Sequence, residues 1–426
     1  MPQFVKIQKN NPYTKNFGSD LDNMRKQIHS IMKIALVSPA SLPATQFGGI
    51  MFLALDLAKQ FAKIGEKVTI YTTDLDFANN PHTFNKNLPR EETIQDFKIK
   101  RSHVLFNFAL YFVNPGMKKQ MMDDDIDLIH TFGLRSYQSY VASIISKKKK
   151  IPLIISDQSG LTTHPDLIKK GIMFRILYFL QRPFLNSIIK QSSRIIVANE
   201  YELKIFEQFS QKSKINIVRN GIDLNELTSD IDFKKKYNID QKFVLFLGRF
   251  NKVKGIDTLL NSINILKEKN EIKNLKFLIM GVDFGYEKEM NKLIHDLQLN
   301  DIIKVIKNPP REDVISAYKF SEFLVLPSRW ELSPLTPLEG FAFKKTTIST
   351  TAHGIPFTLK DTENCLLVEP ENPELLAKTI LELLNDNEKC IKLGQAGFDF
   401  VRNIGNSEDM AKNTLEVYKE VLNIQI

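Results

Sequence analysis

Two short stretches in the second half of the chain hold the residues best suited to chemistry. Gly248-Arg249-Phe250-Asn251-Lys252-Val253-Lys254-Gly255 sets two cations five positions apart. Both can reach one diphosphate, where positive charge would stabilise a departing phosphate. The second stretch, Ser328-Arg329-Trp330-Glu331-Leu332-Ser333-Pro334-Leu335-Thr336-Pro337-Leu338-Glu339, holds two glutamates with seven residues between them. A helix starting near Pro334 would turn the intervening backbone N–H groups towards a ligand as an anion or hydroxyl site. A carboxylate at each end can then accept hydrogen bonds from hydroxyls. Basic loops and glutamate pairs also arise as ordinary solvated surface in a chain with 49 acidic residues. The position of these two on the fold decides between the readings.

The elements around them alternate. Lys33-Ile34-Ala35-Leu36-Val37 is a β-type run, Ser38 to Gly49 a loop with a Gly pair, and Met51 to Ile64 has helical periodicity before Gly65 and a second strand from Lys67 to Tyr71. A strand, a helix-length crossover and a strand imply parallel pairing. Short apolar runs at Ile126–Ile129, Leu153–Ile155 and Ile195–Val197 continue the pattern, as strands buried on both faces do. A second unit follows the charged stretch 230–242. Strands at Phe243–Gly248, Leu275–Gly281, Ile303–Ile306 and Phe323–Pro327 alternate there with helices at Asp257–Lys269, Tyr286–Leu297 and Glu312–Tyr318. Thr346–Ser349 and Leu366–Val368 extend that sheet, and Pro373–Leu384 is a patterned helix. The fold class expected is α/β, two Rossmann-like doubly wound domains facing across a cleft. Both chemical stretches then leave a strand on the side where open α/β sheets bind ligands.

With these motifs in place, the chain resembles the retaining glycosyltransferases of family 4, which have the GT-B fold. The resemblance rests on Glu331 and Glu339, on Gly248 to Gly255, on the turn Asn220-Gly221-Ile222-Asp223 and on Gly48-Gly49, and runs over residues 33 to 420. It implies a sugar moved from a nucleoside-diphosphate-sugar donor to an acceptor, with no cofactor and no metal. It also implies a polar extension over 1–32, an acceptor domain over 33–228, a nucleotide-sugar domain over 229–405 and a C-terminal helix over 406–426 packing back on the first domain. Arg249 and Lys254 would hold the donor diphosphate, Glu339 the ribose hydroxyls, and Glu331 the sugar near its reacting carbon. Backbone around Ser333, Pro334, Leu335 and Thr336 would frame sugar or phosphate oxygens, the N–H groups coming from the non-proline residues, and Gly48 and Gly49 would let the first domain's backbone approach the diphosphate.

The first domain has fewer motifs. His130 closes a strand, and Asp157 and His164 lie in a polar loop after another, where the family places a sugar-contacting histidine or acid. Of Asp157 and His164, Asp157 is the preferred catalytic candidate because it directly follows its strand, and a lone histidine such as His130 after an apolar run is more often structural. Asp74-Leu75-Asp76 and Asp230-Ile231-Asp232 have the spacing of a metal-binding acid pair but read as acidic loop residues. Three positions depart from the family pattern: Leu332 where a glycine is usual, Phe343-Lys344-Lys345-Thr346 in place of Gly-Lys-Pro, and Asn364-Cys365 in place of Asn-Gly.

Composition narrows the remaining classes. Two cysteines cannot build a disulfide framework, and the first 32 residues hold no apolar core of a signal peptide, so a cytoplasmic protein is expected. Residues 1–200 hold 27 Lys and Arg against 16 Asp and Glu, while residues 201–426 hold 31 against 33. No recognition-helix, zinc-finger or RNA-binding signature accompanies this basic excess, which excludes nucleic acid as the expected partner. The excess fits an anionic acceptor or peripheral contact with an anionic membrane. Residues 167–199 hold six cations and no acid beside Phe174, Tyr178 and Phe179, with Pro183 expected to break that helix in two. No phosphate loop and no Gly-x-Gly-x-x-Gly after a strand is found, against a nucleotide hydrolase or a nicotinamide dehydrogenase. A sugar-nucleotide epimerase and a non-catalytic binding protein on the same scaffold stand as alternatives.

Overall fold

The computed structural model of the protein describes residues 31–77, 80, 82–108, 110–158, 160–161 and 172–424. The polar leader up to residue 30 and His164 lie outside them. The first sheet contains β1 (Lys33–Val37), β2 (Lys67–Thr73), β3 (Glu91–Ile94) and β4 (Phe97–Ser102). After a separate hairpin of β5 (Phe106–Phe108) and β6 (Tyr111–Val113), it continues with β7 (Leu128–Phe132), β8 (Leu153–Ser156), β9 (Arg194–Val197) and β10 (Ile215–Ile217). The order is β10-β9-β8-β7-β1-β2-β4-β3, parallel except for the antiparallel edge pair β3–β4. Leu36 lies opposite Ile70 on one side and His130 on the other. Around this sheet run α1 (Gly49–Lys63), α2 (Gly116–Asp123), α3 (Tyr137–Lys149), α4 (Ile172–Gln191) and α5 (Glu200–Phe206).

The second sheet is wholly parallel, in the order β13-β12-β11-β14-β15-β16. Its strands are β11 (Lys242–Leu247), β12 (Leu275–Gly281), β13 (Ile303–Lys307), β14 (Leu324–Val325), β15 (Thr347–Thr350) and β16 (Cys365–Val368). The accompanying helices are α6 (Phe233–Tyr237), α7 (Ile256–Glu268), α8 (Glu287–Asp296), α9 (Arg311–Phe320), α10 (Leu335–Ala342), α11 (Ile355–Thr358), α12 (Pro373–Asn385) and α13 (Asn387–Asn403). Alternate residues of β11 enter different cores. Val244 and Phe246 pack with Leu259 and Ile263 of α7, and Phe243 and Leu245 pack with Tyr318 of α9. Burial on both faces is why this strand reads as a continuous apolar run, each such side chain contributing about 2 kcal/mol.

The remaining helix, α14 (Ser407–Leu422), crosses back to the first sheet. Met410, Ala411, Leu415 and Tyr418 share one buried cluster with Leu36, Leu57 and Phe61, and the Tyr418 and Phe61 rings lie 5.4 Å apart. One reading of the sequence is corrected. Pro183 does not break α4, which continues through it. The proline is exposed, so water can take the carbonyl bond that its missing N–H forfeits. Phe106–Phe108 and Tyr111–Val113 pair antiparallel as the β5–β6 hairpin. Among the described residues, no helix is long and apolar enough to cross a membrane.

In each sheet the strand order reverses at one place, between β1 and β7 and between β11 and β14. Loops leaving the C-terminal ends of such neighbours diverge and open a crevice. The two crevices face each other.

Candidate active site

A cleft of about 1150 Å³ lies between the two sheets. The first domain contributes Gly48, Gly49, Arg135, Gln158 and Asn220 to its walls, and the second contributes Arg249, Lys254, Arg311, Glu331, Ser333 to Thr336, and Glu339. The sequence thus places both motif stretches, and the Gly-Gly loop from the other half, on one cavity.

Lys254 sits at the end of a 3-10 turn whose start is capped by Asn251, the Oδ1 of which accepts from the Val253 N–H at 3.0 Å. Gly255 then turns at φ +68°, where a Cβ would stand 1.9 Å from the Pro327 carbonyl oxygen. Only glycine lets the loop after β11 touch the loop after β14 this closely. Arg329 fastens the same two loops: its guanidinium takes both oxygens of Asp257 at 2.6 and 2.8 Å, and also donates to the Lys252 carbonyl and to Glu371. The result is an ion pair between Lys254 and Glu331, with Ser328 Oγ 3.3 Å from the same carboxylate.

Arg249 leaves β11 and reaches across the cleft. Its guanidinium stacks on the Phe284 ring, 4.6 Å from the centroid, and donates to the Phe47 carbonyl. Desolvation by these neighbours lowers its pKa, and Glu331 acts in the opposite direction. Gly48 faces it at φ +98°, and a Cβ there would lie 3.3 Å from Nη2. Gly49 opens α1 against Leu335, the first residue of α10. No side chain caps the start of α10, so its first-turn amides are available to a ligand on the cleft side.

Glu339 is nearly buried on α10. Arg311 grips its two oxygens at 2.5 and 3.1 Å, the Tyr318 hydroxyl donates at 2.7 Å, and the Arg311 guanidinium also lies 4.8 Å from the centre of the Phe52 ring on α1. Neither Arg311 nor Tyr318 stood out in the sequence. Their spacing on one face of α9, directly after β13, was the available signal. Arg329, inside the second motif stretch, likewise carried no distinguishing signal.

Asp157 is corrected. It is fully buried, outside the cleft lining, and its two oxygens accept from the backbone N–H groups of Leu134 at 3.2 Å and Leu161 at 2.7 Å. It fixes the loops beneath the cleft, while its neighbour Gln158 reaches the surface. Gln158 and Asn220 exchange amide hydrogen bonds of 3.0 and 3.1 Å. Glu202 accepts from the N–H groups of Ala198 and Gln158, and burial pushes its pKa up to about 7. His130 is also internal, bonded to Tyr418 at 2.6 Å and Ser156 at 2.8 Å, and burial lowers its pKa to about 3.

Of the acid pairs, Asp74 binds His103 at 2.6 Å and the Val104 N–H at 3.0 Å, and Asp232 caps α6 through the Lys235 N–H. The carboxylates of Asp56, Asp223 and Glu226 gather away from the cleft lining, and Lys59 pairs with Glu226 there. The departures from the family pattern have local accounts. Leu332 is buried with Trp330 in the first domain's core, and its carbonyl accepts from Asn199 at 2.7 Å. Lys344 takes up the turn itself, at φ +57°.

The profile of Glycosyl transferases group 1 matches residues 228–400, and that of Glycosyltransferase Family 4 matches residues 47–226. An uncharacterized glycosyltransferase of Methanocaldococcus jannaschii is 27% identical over 307 residues, 71% of this chain and 78% of the relative. A D-inositol 3-phosphate glycosyltransferase of Corynebacterium aurimucosum is 23% identical over 432 residues, 93% of this chain and 97% of that one. Among solved structures, sucrose-phosphate synthase from Thermosynechococcus elongatus superposes with a TM-score of 0.74 at 20% identity, covering 92% of this chain and all of the other. The Anabaena protein HepE in complex with UDP-glucose gives 0.72 at 18% identity, covering 91% of this chain and all of the other.

Proposed function

The chain belongs to the family 4, group 1 glycosyltransferases, enzymes that take a sugar from a nucleotide-sugar donor, and from that premise we propose that it transfers the sugar with retention to a glycan or lipid-linked acceptor. The observation that carries this reading is the convergence of Arg249, Lys254 and Glu331 where the second sheet's strand order reverses, with Gly48 facing them from the first domain.

Arg249 and Lys254 hold the donor diphosphate and stabilise the charge that grows as the sugar leaves. They fill the role that a metal has in other glycosyltransferases, and no cofactor enters the reading. The backbone N–H groups of Ser333, Leu335 and Thr336 at the start of α10 receive sugar or phosphate oxygens. Glu339, oriented by Arg311 and Tyr318, accepts from a ribose hydroxyl, and Glu331, oriented by Lys254, contacts the sugar near its anomeric carbon. The acceptor attacks on the face that the phosphate leaves, and the departing phosphate helps to take its proton, so no protein nucleophile is assigned. HepE bound to UDP-glucose supports a nucleoside-diphosphate-sugar as the donor class. The division is an acceptor domain over 33–228 and a donor domain over 229–405, at the cytoplasmic side of an anionic membrane to which the basic first half is drawn.

The test is a thermal shift with UDP, GDP, ADP and CMP on the unaltered protein and on an Arg249→Ala/Lys254→Ala variant. A nucleotide at about 100 times its dissociation constant adds about 2.7 kcal/mol. One nucleotide shifting the unaltered protein and not the variant supports the donor site. No shift with any nucleotide overturns it.

A further inference from the structure

The β5–β6 hairpin and α4 present apolar side chains to solvent on the same domain. Leu105 and Phe106 are 71 and 61% exposed, Phe179 and Leu180 are 70 and 59% exposed, and Phe108, Ile176 and Phe184 are also exposed. Exposed apolar groups that gather in a patch, rather than scatter, mark a binding surface.

Aromatic contacts make these two elements one surface. Tyr111 of β6 meets Tyr137 at the start of α3 (ring centres 6.2 Å apart), Tyr137 meets Tyr140 (6.5 Å), and Tyr140 meets Phe184 of α4 (6.1 Å). The surface is continuous with the cleft mouth, because Phe108, Leu110 and Tyr111 of the hairpin and Gln181 of α4 line the cleft itself. Inside the hairpin, Phe112 is buried, with its ring 6.3 Å from that of Phe47, the residue whose carbonyl binds Arg249.

The two stretches that carry the patch are basic in sequence. No acidic residue occurs in 97–122, which contains the hairpin, or in 167–199, which contains α4. Lys118 and Lys119 at the start of α2, and Arg182 and Lys190 on α4, are exposed. Exposed aromatic and aliphatic groups with cations on the same elements complement the interface of an anionic bilayer.

We propose that the β5–β6 hairpin and α4 together form a two-part docking face that seats the cleft mouth on an anionic membrane, so that a lipid-borne acceptor enters along Phe108, Leu110 and Tyr111. This rests on the reading of the acceptor as lipid-linked and supplies the surface that reading needs. The hairpin inserts its outer side chains among the lipid headgroups, α4 lies in the interface beside it, and the acceptor sugar reaches the donor without leaving the bilayer plane.

The test is sedimentation of the full chain with vesicles of phosphatidylcholine alone and of phosphatidylcholine mixed with phosphatidylglycerol. Leu105→Asp/Phe106→Asp, Phe179→Asp/Leu180→Asp and the fourfold variant are compared, none of these residues lining the cleft. Binding to the anionic vesicles is expected, lowered by roughly tenfold or more in each double variant and abolished in the fourfold one. The nucleotide thermal shift, measured on the same samples, reports separately on the fold and the donor site. Failure of the unaltered chain to bind anionic vesicles overturns the proposal, even where the nucleotide shift stands. So does a hairpin variant that binds as the unaltered chain does, or an unaltered chain that self-associates through this face and ignores vesicles.

Discussion

Arg311 and Glu339 meet fork to fork, two guanidinium nitrogens against two carboxylate oxygens, in a wall of the interdomain cleft. With Tyr318 donating as well, three of the roughly four acceptor positions of the carboxylate are occupied, leaving room for one more donor. That geometry suits a single ligand hydroxyl better than a pair.

Removing the guanidinium would leave Glu339 charged and nearly buried with Tyr318 as its remaining partner. Arg311→Ala is expected to destabilise the fold by about 3 kcal/mol, the low end for an orphaned buried charge, since Arg311 is partly exposed. Arg311→Ala/Glu339→Gln should recover part of this in chemical denaturation. If the double variant is no more stable than the single one, the carboxylate is not what makes the loss costly.

Lys254 is placed to act on charge that develops at the leaving group while keeping Glu331 in position. Lys254→Ala is expected to lower the rate of donor consumption by about 10²–10³, as for loss of one preorganised donor to a developing negative charge. Single-turnover kinetics with saturating donor measure it. A change confined to donor affinity, with the rate at saturation intact, would assign Lys254 to binding alone.

Gly48 lies at φ +98° and ψ −155°, a region that residues with a Cβ occupy at a strain of about 1–3 kcal/mol. Gly48→Ala adds a contact with the Arg249 guanidinium. The expected outcome is weaker nucleotide binding together with a lower Tm, read from titration calorimetry and melting of the same sample. Unchanged affinity would mean that this loop plays no part in holding Arg249.

His130 carries a pH dependence with a definite sign. Its pKa falls from 6.5 to about 3 on folding because burial disfavours the charged ring. The unfolded chain therefore binds a proton that the folded one refuses. The contribution to stability is fully present above pH 6.5 and is lost as pH falls from there towards about 3. His130→Gln should flatten the slope of unfolding free energy against pH in this window. An equally steep slope in the variant would locate the acid sensitivity elsewhere.

How much of this was legible in the sequence differs by kind of feature. The alternation of apolar runs and helical periods gave two parallel sheets because strands buried on both faces leave that imprint, and it put Arg249, Lys254, Glu331 and Glu339 at strand ends where ligands bind. Side-chain partners leave no such imprint. Asp157 follows its strand as a catalytic acid would, yet two backbone amides take its oxygens. His130 follows an apolar run, and the partner that holds it, Tyr418, lies 288 residues away. Arg311 was invisible as the partner of Glu339 because no local period joins α9 to α10. The edge pair β3–β4 and the hairpin were not read as strands, being short, and partly polar or too apolar to alternate. Leu332 looked like a damaged turn because its burial comes from the other domain.

The return of α14 to the first sheet bears on how the molecule is made. Tyr418, Met410 and Leu415 belong to the same buried cluster as Leu36 and Phe61, so the first domain lacks part of its interior until the second has been translated. On the ribosome the early sheet must wait, with apolar surface uncovered, while nearly two hundred further residues are added, at a pace of about 5–20 per second. For roughly ten seconds or more it is therefore a natural client for chaperones.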